Sequence, residues 1–374
     1  MEERTFACYI CGRILPREEC TEFDNQELCG HCLGIHTLLC SECGERLWAD
    51  DNAGNRDTPL CQDCYDDHYA TCCRCGGLIR ESEAYYESSD EYDERPYCAS
   101  CFHSLDQGRV IHDYYYKPEA VFHGEGPRYF GVELELDDGG ECAANAAVLV
   151  NIANREGEYA YIKHDGSLSD GLELVTHPMS LDHQLHRMPW AQLCREALSM
   201  GYISHRASTC GLHVHVSRRA FGETERAQDA AIARVLYFFE KHWEELLKFS
   251  RRTPRQLERW AARYGYKERP MEILDFAKKG GHGGRYTCVN LQNRDTVEFR
   301  MFRGTLKPNT IFATLELLDR ICDLAVFLSD EELKAIPWTN FVIGIQEKTC
   351  PELVQYLKER RLYVNEPVES EVDA

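Results

Sequence analysis

Two groups of residues in this sequence have types and spacings that can do chemistry. The first is cysteine. Of 20 cysteines, 14 lie between Cys8 and Cys101. Cys8-x2-Cys11 is followed after seventeen residues by Cys29-x2-Cys32. Cys40-x2-Cys43 is followed after seventeen by Cys61-x2-Cys64, and Cys72-x2-Cys75 after twenty-two by Cys98-x2-Cys101. First cysteines at 8, 40 and 72 make a repeat of 32 residues. Each unit offers four thiolates, the set that closes a tetrahedral structural zinc. About three structural zincs are therefore expected; fewer zincs, iron–sulfur chemistry or a redox Cys-x-x-Cys pair are the alternatives. Cys20 and Cys73 fall outside the repeat, although Cys73 can stand in for Cys72. The four-cysteine sets leave no vacancy for His31, His36, His68 or His103.

The second group lies on alternating segments. In FGVELELD, Val132, Leu134 and Leu136 share one face and Glu133 and Glu135 the other. In GLELVTHP, Glu173 lies between Leu172 and Leu174. In GLHVHVS, His213 and His215 oppose Leu212, Val214 and Val216. In TVEFRMF, Glu298 and Arg300 oppose Val297, Phe299 and Met301. One such face can simply meet water. A solvent face, however, draws on Lys, Thr, Ser and Gln, whereas here the choice is Glu-x-Glu, His-x-His and Glu-x-Arg. Carboxylates and imidazoles ligate divalent metals, and arginine holds phosphate through paired hydrogen bonds. If the four strands share a sheet, the combination suits metal–nucleotide chemistry.

The elements that must position these residues divide the chain in four. Residues 1–105 form three tandem zinc-binding modules of four cysteines each. A unit of about thirty residues has too small an apolar core to fold alone, so metal supplies much of its folding free energy. The glycine after each leading knuckle (CYICG, CSECG, CCRCG) helps the chain turn about the metal. A short helix is expected after each trailing knuckle. Residues 106–128, with Tyr114, Tyr115 and Tyr116, form a connection too aromatic for a solvated tether. Residues 129–362 alternate strand and helix. Strands are predicted at Tyr129–Asp137, Glu158–His164, Gly171–His177, Gly211–Ser217, Tyr286–Gln292 and Thr296–Phe302. Helices are predicted at Glu141–Arg155, Asp182–Met200, Glu225–Phe249, Asn309–Leu328 and Pro351–Arg361. In the third helix Ile232, Val235, Leu236, Phe239, Trp243 and Leu246 make one apolar stripe, read as core. Met271–Arg285, rich in glycine, reads as a mobile loop, and its Lys279–Arg285 end as a candidate lid. Residues 363–374 read as a disordered acidic tail.

Composition narrows the function. The 374 residues are 43% hydrophobic and 28% charged, a globular balance. A net charge of −21 argues against nucleic acid and anionic membrane. Residues 1–105 alone carry 8 basic and 22 acidic side chains, so a nucleic-acid-binding finger is not expected. No apolar run reaches membrane-spanning length and MEERTF has no signal core, so a cytoplasmic, membrane-free protein is expected. That setting also favours zinc over disulfides.

The cysteine modules resemble LIM or treble-clef zinc modules, departing from LIM domains in their seven-residue spacers. Such modules usually bind proteins, which implies a protein or peptide partner. FGVELEL, KHDGSLSDGLELVTHP, GLHVHVS and RYTCVNLQNRDTVEFRMFRGTL, in that order, resemble the putative amidoligase family, in the carboxylate–amine ligase superfamily of glutamine synthetase and glutamate–cysteine ligase. YYYKPEAVFHG resembles the lead-in of phage and bacterial members. The resemblance covers about residues 114–328. It implies an α+β fold, a glutamine-synthetase-like funnel of antiparallel sheet with flanking helices, ATP and two or three magnesium ions. Carried over by motif, Glu133, Glu135, Glu173, His213 and Glu298 would bind magnesium. His215 would face substrate or phosphate, and Arg300 would contact the transferring phosphoryl group. Lys163, Asp165, Arg285, Asn290 and Arg303 are looser candidates for substrate or nucleotide contact. A further metal-binding glutamate, common near the ELV strand in that superfamily, has no assigned position here. The implied activity is ATP-dependent joining of a carboxylate to an amine through an acyl phosphate. The alternatives are a zinc-finger adaptor on a ligase-like scaffold, or a metal hydrolase using His213 and His215, although no His-Glu-x-x-His occurs.

Overall fold

The glycine that closes each leading knuckle sets the first local structure. In a computed structural model of the chain, which describes residues 5–86, 95–105, 109–280 and 285–363, Gly12, Gly44 and Gly76 have φ of 68°, 74° and 70°. Glycine reaches this left-handed region without a Cβ penalty. Each glycine N–H donates to the carbonyl of the module's first cysteine: Gly12 to Cys8 at 2.8 Å, Gly44 to Cys40 at 2.9 Å and Gly76 to Cys72 at 2.8 Å. The knuckle thus forms the tip of a hairpin. The three hairpins pair Thr5–Ala7 with Ile14–Pro16, Thr37–Leu39 with Arg46–Trp48, and Tyr69–Thr71 with Leu78–Arg80. The trailing cysteine pair opens a seven-residue helix, at Gly30–His36, Gln62–His68 and Ala99–Leu105. The first two helices run straight into the next hairpin, and that junction occupies the seven-residue spacers.

The chain divides into two compact units, Met1–Gln107 and Gly108–Ala374. The second unit is α+β and holds a seven-stranded sheet with helices. Its strands are β1 (Ile111–His112), β2 (Phe130–Leu136), β3 (Ala160–Lys163), β4 (Leu172–Thr176), β5 (Gly211–Ser217), β6 (Val289–Asn290) and β7 (Thr296–Arg303). The order across the sheet is β1-β3-β4-β2-β5-β7-β6. All neighbours are antiparallel except β1 and β3, which run parallel. The wholly antiparallel sheet expected from the resemblance therefore gains a parallel edge strand, drawn from residues read as connection.

One face of the sheet is apolar throughout. Val132, Leu134, Leu136, Leu172, Leu174, Leu212, Val214, Val216, Val297, Phe299 and Met301 are all buried, and they join one core with residues of the Glu225–Lys241 and Pro308–Phe327 helices. Of the expected stripe, Ile232, Val235, Leu236, Phe239 and Leu246 are buried in that core and Trp243 packs against it half-buried.

Several helix boundaries correct the sequence reading. The single helix expected over Asp182–Met200 is two, Leu181–His186 and Trp190–Ser199, because Pro189 cannot continue the first and caps the second. Glu225–Phe249 breaks at His242 into Glu225–Lys241 and Trp243–Ser250. Most of the expected loop Met271–Arg285 is the helix Pro270–Lys278, started by proline at its first turn and anchored by buried Ile273 and Leu274. Short helices at Pro254–Trp260, Asp330–Ala335 and Trp338–Ile343 were not anticipated. Glycines 281, 283 and 284 of the candidate lid lie outside the described residues, as does the acidic tail beyond Tyr363.

Candidate active site

Strand period and register bring the ionisable residues together. Glu133 pairs with His213 across β2 and β5, Glu135 with Glu173 across β2 and β4, and Lys163 with Glu173 across β3 and β4. Glu298 pairs with His215 on β5 and with Asn290 on β6. Directly opposed residues share a face, so these side chains form one polar surface opposite the core. A register shift between Leu212 and Val214 places both Arg300 and Met301 of β7 opposite His213. This bulge lets Met301 and Phe302 both face the core while Glu298 and Arg300 stay on the polar side.

The surface floors a cavity of about 310 Å³. All seven residues expected to be catalytic line it: Glu133, Glu135, Glu173, His213, His215, Glu298 and Arg300. Four of the looser candidates, Lys163, Asp165, Arg285 and Asn290, line it too. Arg303 does not; it lines a small separate pocket with His205 and Arg251.

The contacts are dense. His213 Nδ1 lies 3.3 Å from Glu133 Oε2, and His213 Nε2 lies 3.6 Å from Glu135 Oε1. His215 Nε2 is 3.1 Å from Glu133 Oε1. Arg300 donates to Glu298 Oε1, while Asn290 and Asn293 donate to Glu298 Oε2 at 2.8 and 3.1 Å. The Gly211 N–H donates to Glu135. A Cβ at Gly211 would fall 2.5 Å from His213 Nε2 and 2.7 Å from Arg252 Nη2, so the glycine leaves room for both. Arg300 Nε is enclosed and has no hydrogen-bond partner within the protein.

The electrostatics show buried carboxylates crowding one another. Burial raises the Glu173 carboxyl well above its ordinary range; Glu133 adds to this and Lys163, 3.7 Å away, opposes it. Burial also raises Glu135, with Asp165 adding and His213 opposing. Burial would raise Glu133 as well, but His215 and His213 hold it well below. Such crowding of buried carboxylates is relieved by a bound cation. Donor sets whose ligand atoms lie within 4.8 Å of one another include Glu133 with His215 and Glu298, and Glu133 with Glu173 and His213. Oxygen and imidazole donors of this kind fit a hard or intermediate divalent ion. His215, expected to face substrate, lies within a donor set. Asp165 supplies a carboxylate near Glu135 and Glu173, where the resemblance left a metal ligand unassigned.

Sequence reasoning missed several residues that line or support the cavity. Arg252 is buried at the edge of the cavity, where burial lowers its pKa to about 10 against the opposing pull of Glu135. Only its place after a helix in the fold reveals it. Tyr114 roofs the cavity: Arg285 donates to its hydroxyl, and Lys163 Nζ lies 5.3 Å from its ring centroid. The aromatic content of the connection was the signal for that packing. Asp137 was read only as the end of a strand. It accepts the N–H groups of Ser169 and Asp170 at 3.1 and 2.8 Å and the Thr209 hydroxyl at 3.0 Å. These bonds fix the turn that delivers Asp165 and Ser167 to the cavity.

Residues 151–322 match the model of a family described as "Putative amidoligase enzyme". The segment is amidoligase-like. Glu173, His213, His215, Glu298 and Arg300 fall within this amidoligase-like segment, whereas Glu133 and Glu135 precede it. No curated protein matches the chain.

In the first unit, the three expected cysteine sets come together: Cys8, Cys11, Cys29 and Cys32; Cys40, Cys43, Cys61 and Cys64; Cys72, Cys75, Cys98 and Cys101. Cys11 and Cys29 sulfurs are 3.9 Å apart, Cys43 and Cys61 3.8 Å, and Cys75 and Cys98 3.8 Å. Cys72 belongs to the third set and Cys73 is exposed outside it. Backbone N–H groups of Cys11 and Cys29 aimed at the Cys8 sulfur bring its thiol down to about 6. Such stabilised thiolates are ready zinc ligands.

Proposed function

We propose that the second unit is an ATP-dependent carboxylate–amine ligase working through an acyl phosphate. The observation that carries this is the pair of donor sets sharing Glu133 beside Arg300, in a unit whose central segment is amidoligase-like. Glu133, Glu173, His213, His215 and Glu298 would hold divalent cations, with Glu135 and Asp165 beside them. Bound magnesium would neutralise the triphosphate and orient its terminal phosphoryl group.

The chain's own residues account for the rest. Lys163, Arg252, Arg285 and Arg300 line one cavity and suit phosphate oxygens. Arg300, held by Glu298, is one of these lining cations. A second cavity of about 380 Å³ shares Glu133, His215, Lys117 and Asn293 with the first. Its Phe122, Tyr129, Tyr161 and Val175 suit the carbon skeleton of a substrate. A substrate carboxylate held between the cavities would attack the γ-phosphorus and displace ADP. An amine would then attack the acyl carbon and release phosphate, its proton passing to a carboxylate or to His215. The sheet would form one wall of a glutamine-synthetase-like funnel that keeps water from the intermediate.

The zinc modules would recruit a protein partner or substrate. In the first two, Tyr9, Ile14, Ile35 and Leu39 leave large apolar side chains exposed, the kind of surface that protein contacts cover. The test is ADP release in pools of carboxylates and peptides, with and without added amines. Release that requires an amine, and is lost in Glu298→Gln, supports the reading. Amine-independent hydrolysis or no turnover in any pool opposes it.

A further inference from the structure

The pocket at Arg303 lies outside the cavity described above and is built from cations. Arg251 donates from Nη2 to His205 Nε2 at 3.1 Å, and Arg303 donates from Nη1 to the Arg251 carbonyl at 3.4 Å. A guanidinium only donates, so His205 Nε2 must be the acceptor and the imidazole neutral. Burial, reinforced by Arg251, Arg303, Lys307 and Arg206, lowers the His205 pKa to about 4. Among the described residues, no carboxylate forms an ion pair with Arg206, Arg251, Arg303 or Lys307. This is unusual in a chain of net charge −21, where counter-charges are abundant. Arg303 Nε is also enclosed without a hydrogen-bond partner, and an unpaired buried donor costs free energy. Arg251 holds a left-handed φ of 61°, a conformation an arginine adopts at some cost. Buried Thr305 and Thr310 line the same pocket, and Pro308–Phe327, a 20-residue helix, starts beside it. The positive end of that helix adds to the field.

We propose that Arg303, Arg251 and His205, in the field of the nearby cations Lys307 and Arg206, bind the phosphate group of a small molecule. The enclosed space is about 10 Å³, enough for one water-sized atom, so a single oxyanion oxygen enters and the remainder of the group stays at the mouth. A planar guanidinium fork, a helix start and hydroxyl donors match a tetrahedral oxyanion. A nucleic-acid polyanion is disfavoured by the charge of the rest of the chain.

The test uses the full zinc-loaded chain at constant ionic strength, titrated by calorimetry with inorganic phosphate and with glycerol phosphate. Binding of either that weakens in Arg303→Gln and persists in Arg300→Gln supports the site, and tighter binding of the ester identifies a phosphomonoester as the source. Arg303→Gln is expected to weaken binding about tenfold or more, as loss of a charge-assisted contact does. Lys307→Gln and Arg206→Gln, exposed substitutions that leave the packing intact, are expected to weaken it by smaller factors. In an NMR titration, phosphate should raise the His205 pKa, because the anion offsets its cationic neighbours; a purely structural cluster would show no such change. Absence of binding in the wild type overturns the proposal. So does binding that is lost in Arg300→Gln but kept in Arg303→Gln, which would place the anion in the main cavity.

Discussion

Glu133→Gln separates a metal centre from a solvated strand face more sharply than any other single substitution. Glu133 belongs to both donor sets, whereas Glu173 and Glu298 each belong to one of the two described. Glutamine keeps the size of the side chain, and the apolar neighbours Val132 and Leu134 face the core, so packing is unchanged. The lost charge is large in effect. A unit charge about 4 Å from a divalent ion is worth roughly 8 kcal/mol at an effective dielectric of about 20. Water and the amide oxygen recover most of this. The expected net result is a loss of about 10²–10³ in rate and of about tenfold or more in cation affinity at both positions. Zinc-loaded protein titrated with Mn²⁺ and followed by electron paramagnetic resonance should bind two ions in the wild type. Glu133→Gln should lose both at the same concentrations, while Glu173→Gln and Glu298→Gln each lose one. Thermal melting is the control, and a shift within about 2 °C corresponds to about 1 kcal/mol or less for a unit of this size. Two ions retained at wild-type affinity in a folded Glu133→Gln protein would refute the shared-ligand reasoning.

Three further outcomes are expected. Elemental analysis should find about three zincs per chain, and limited proteolysis in chelator should degrade residues 1–107 while leaving a stable fragment from about Arg109; equal loss of both would show one cooperative unit. Arg300→Lys should reduce turnover although charge is kept, because lysine cannot reproduce the planar fork that contacts Glu298; normal turnover would remove Arg300 from the site. Burial raises the Glu316 carboxyl to about 7 even though it accepts the Leu353 N–H at 2.7 Å. The folded protein therefore binds that proton more tightly than the unfolded chain. Stability from this group is full below about pH 4.5 and is lost as pH rises through 7, by about 3 kcal/mol. Thermal melts of Glu316→Gln should lack that decline, and an unchanged pH profile would show that Glu316 does not titrate in this range.

The polar faces were legible because a strand has a period of two: Glu133, Glu135, His213, His215 and Glu298 could be assigned to one side without knowing which strands pair. Pairing order was not legible, since it depends on contacts between residues far apart in sequence. The β7 bulge was equally hidden, although it decides that Phe302 is core. Arg252, Thr209 and Asp137 contribute from loops and strand ends, where no periodicity marks a side chain's direction. Pro189 was a visible break signal, outweighed by the apolar pattern on either side. The Pro270–Lys278 helix was obscured by the glycines that follow it, although Pro270 and the Ile273–Leu274 pair carry a helix start and its buried face. In the cysteine modules almost everything was legible, because ligand spacing and the knuckle glycine determine the hairpin tip locally.

The most direct test of the central claim is hydroxamate formation. Hydroxylamine replaces an unknown amine as the nucleophile that captures an activated acyl group. Full-length protein with ATP, magnesium, hydroxylamine and a panel of carboxylates should release ADP and form a hydroxamate in equal amounts for at least one carboxylate, and Glu133→Gln should do neither. ADP release without hydroxamate across the panel, or equal product from wild type and Glu133→Gln, would contradict acyl activation at this site.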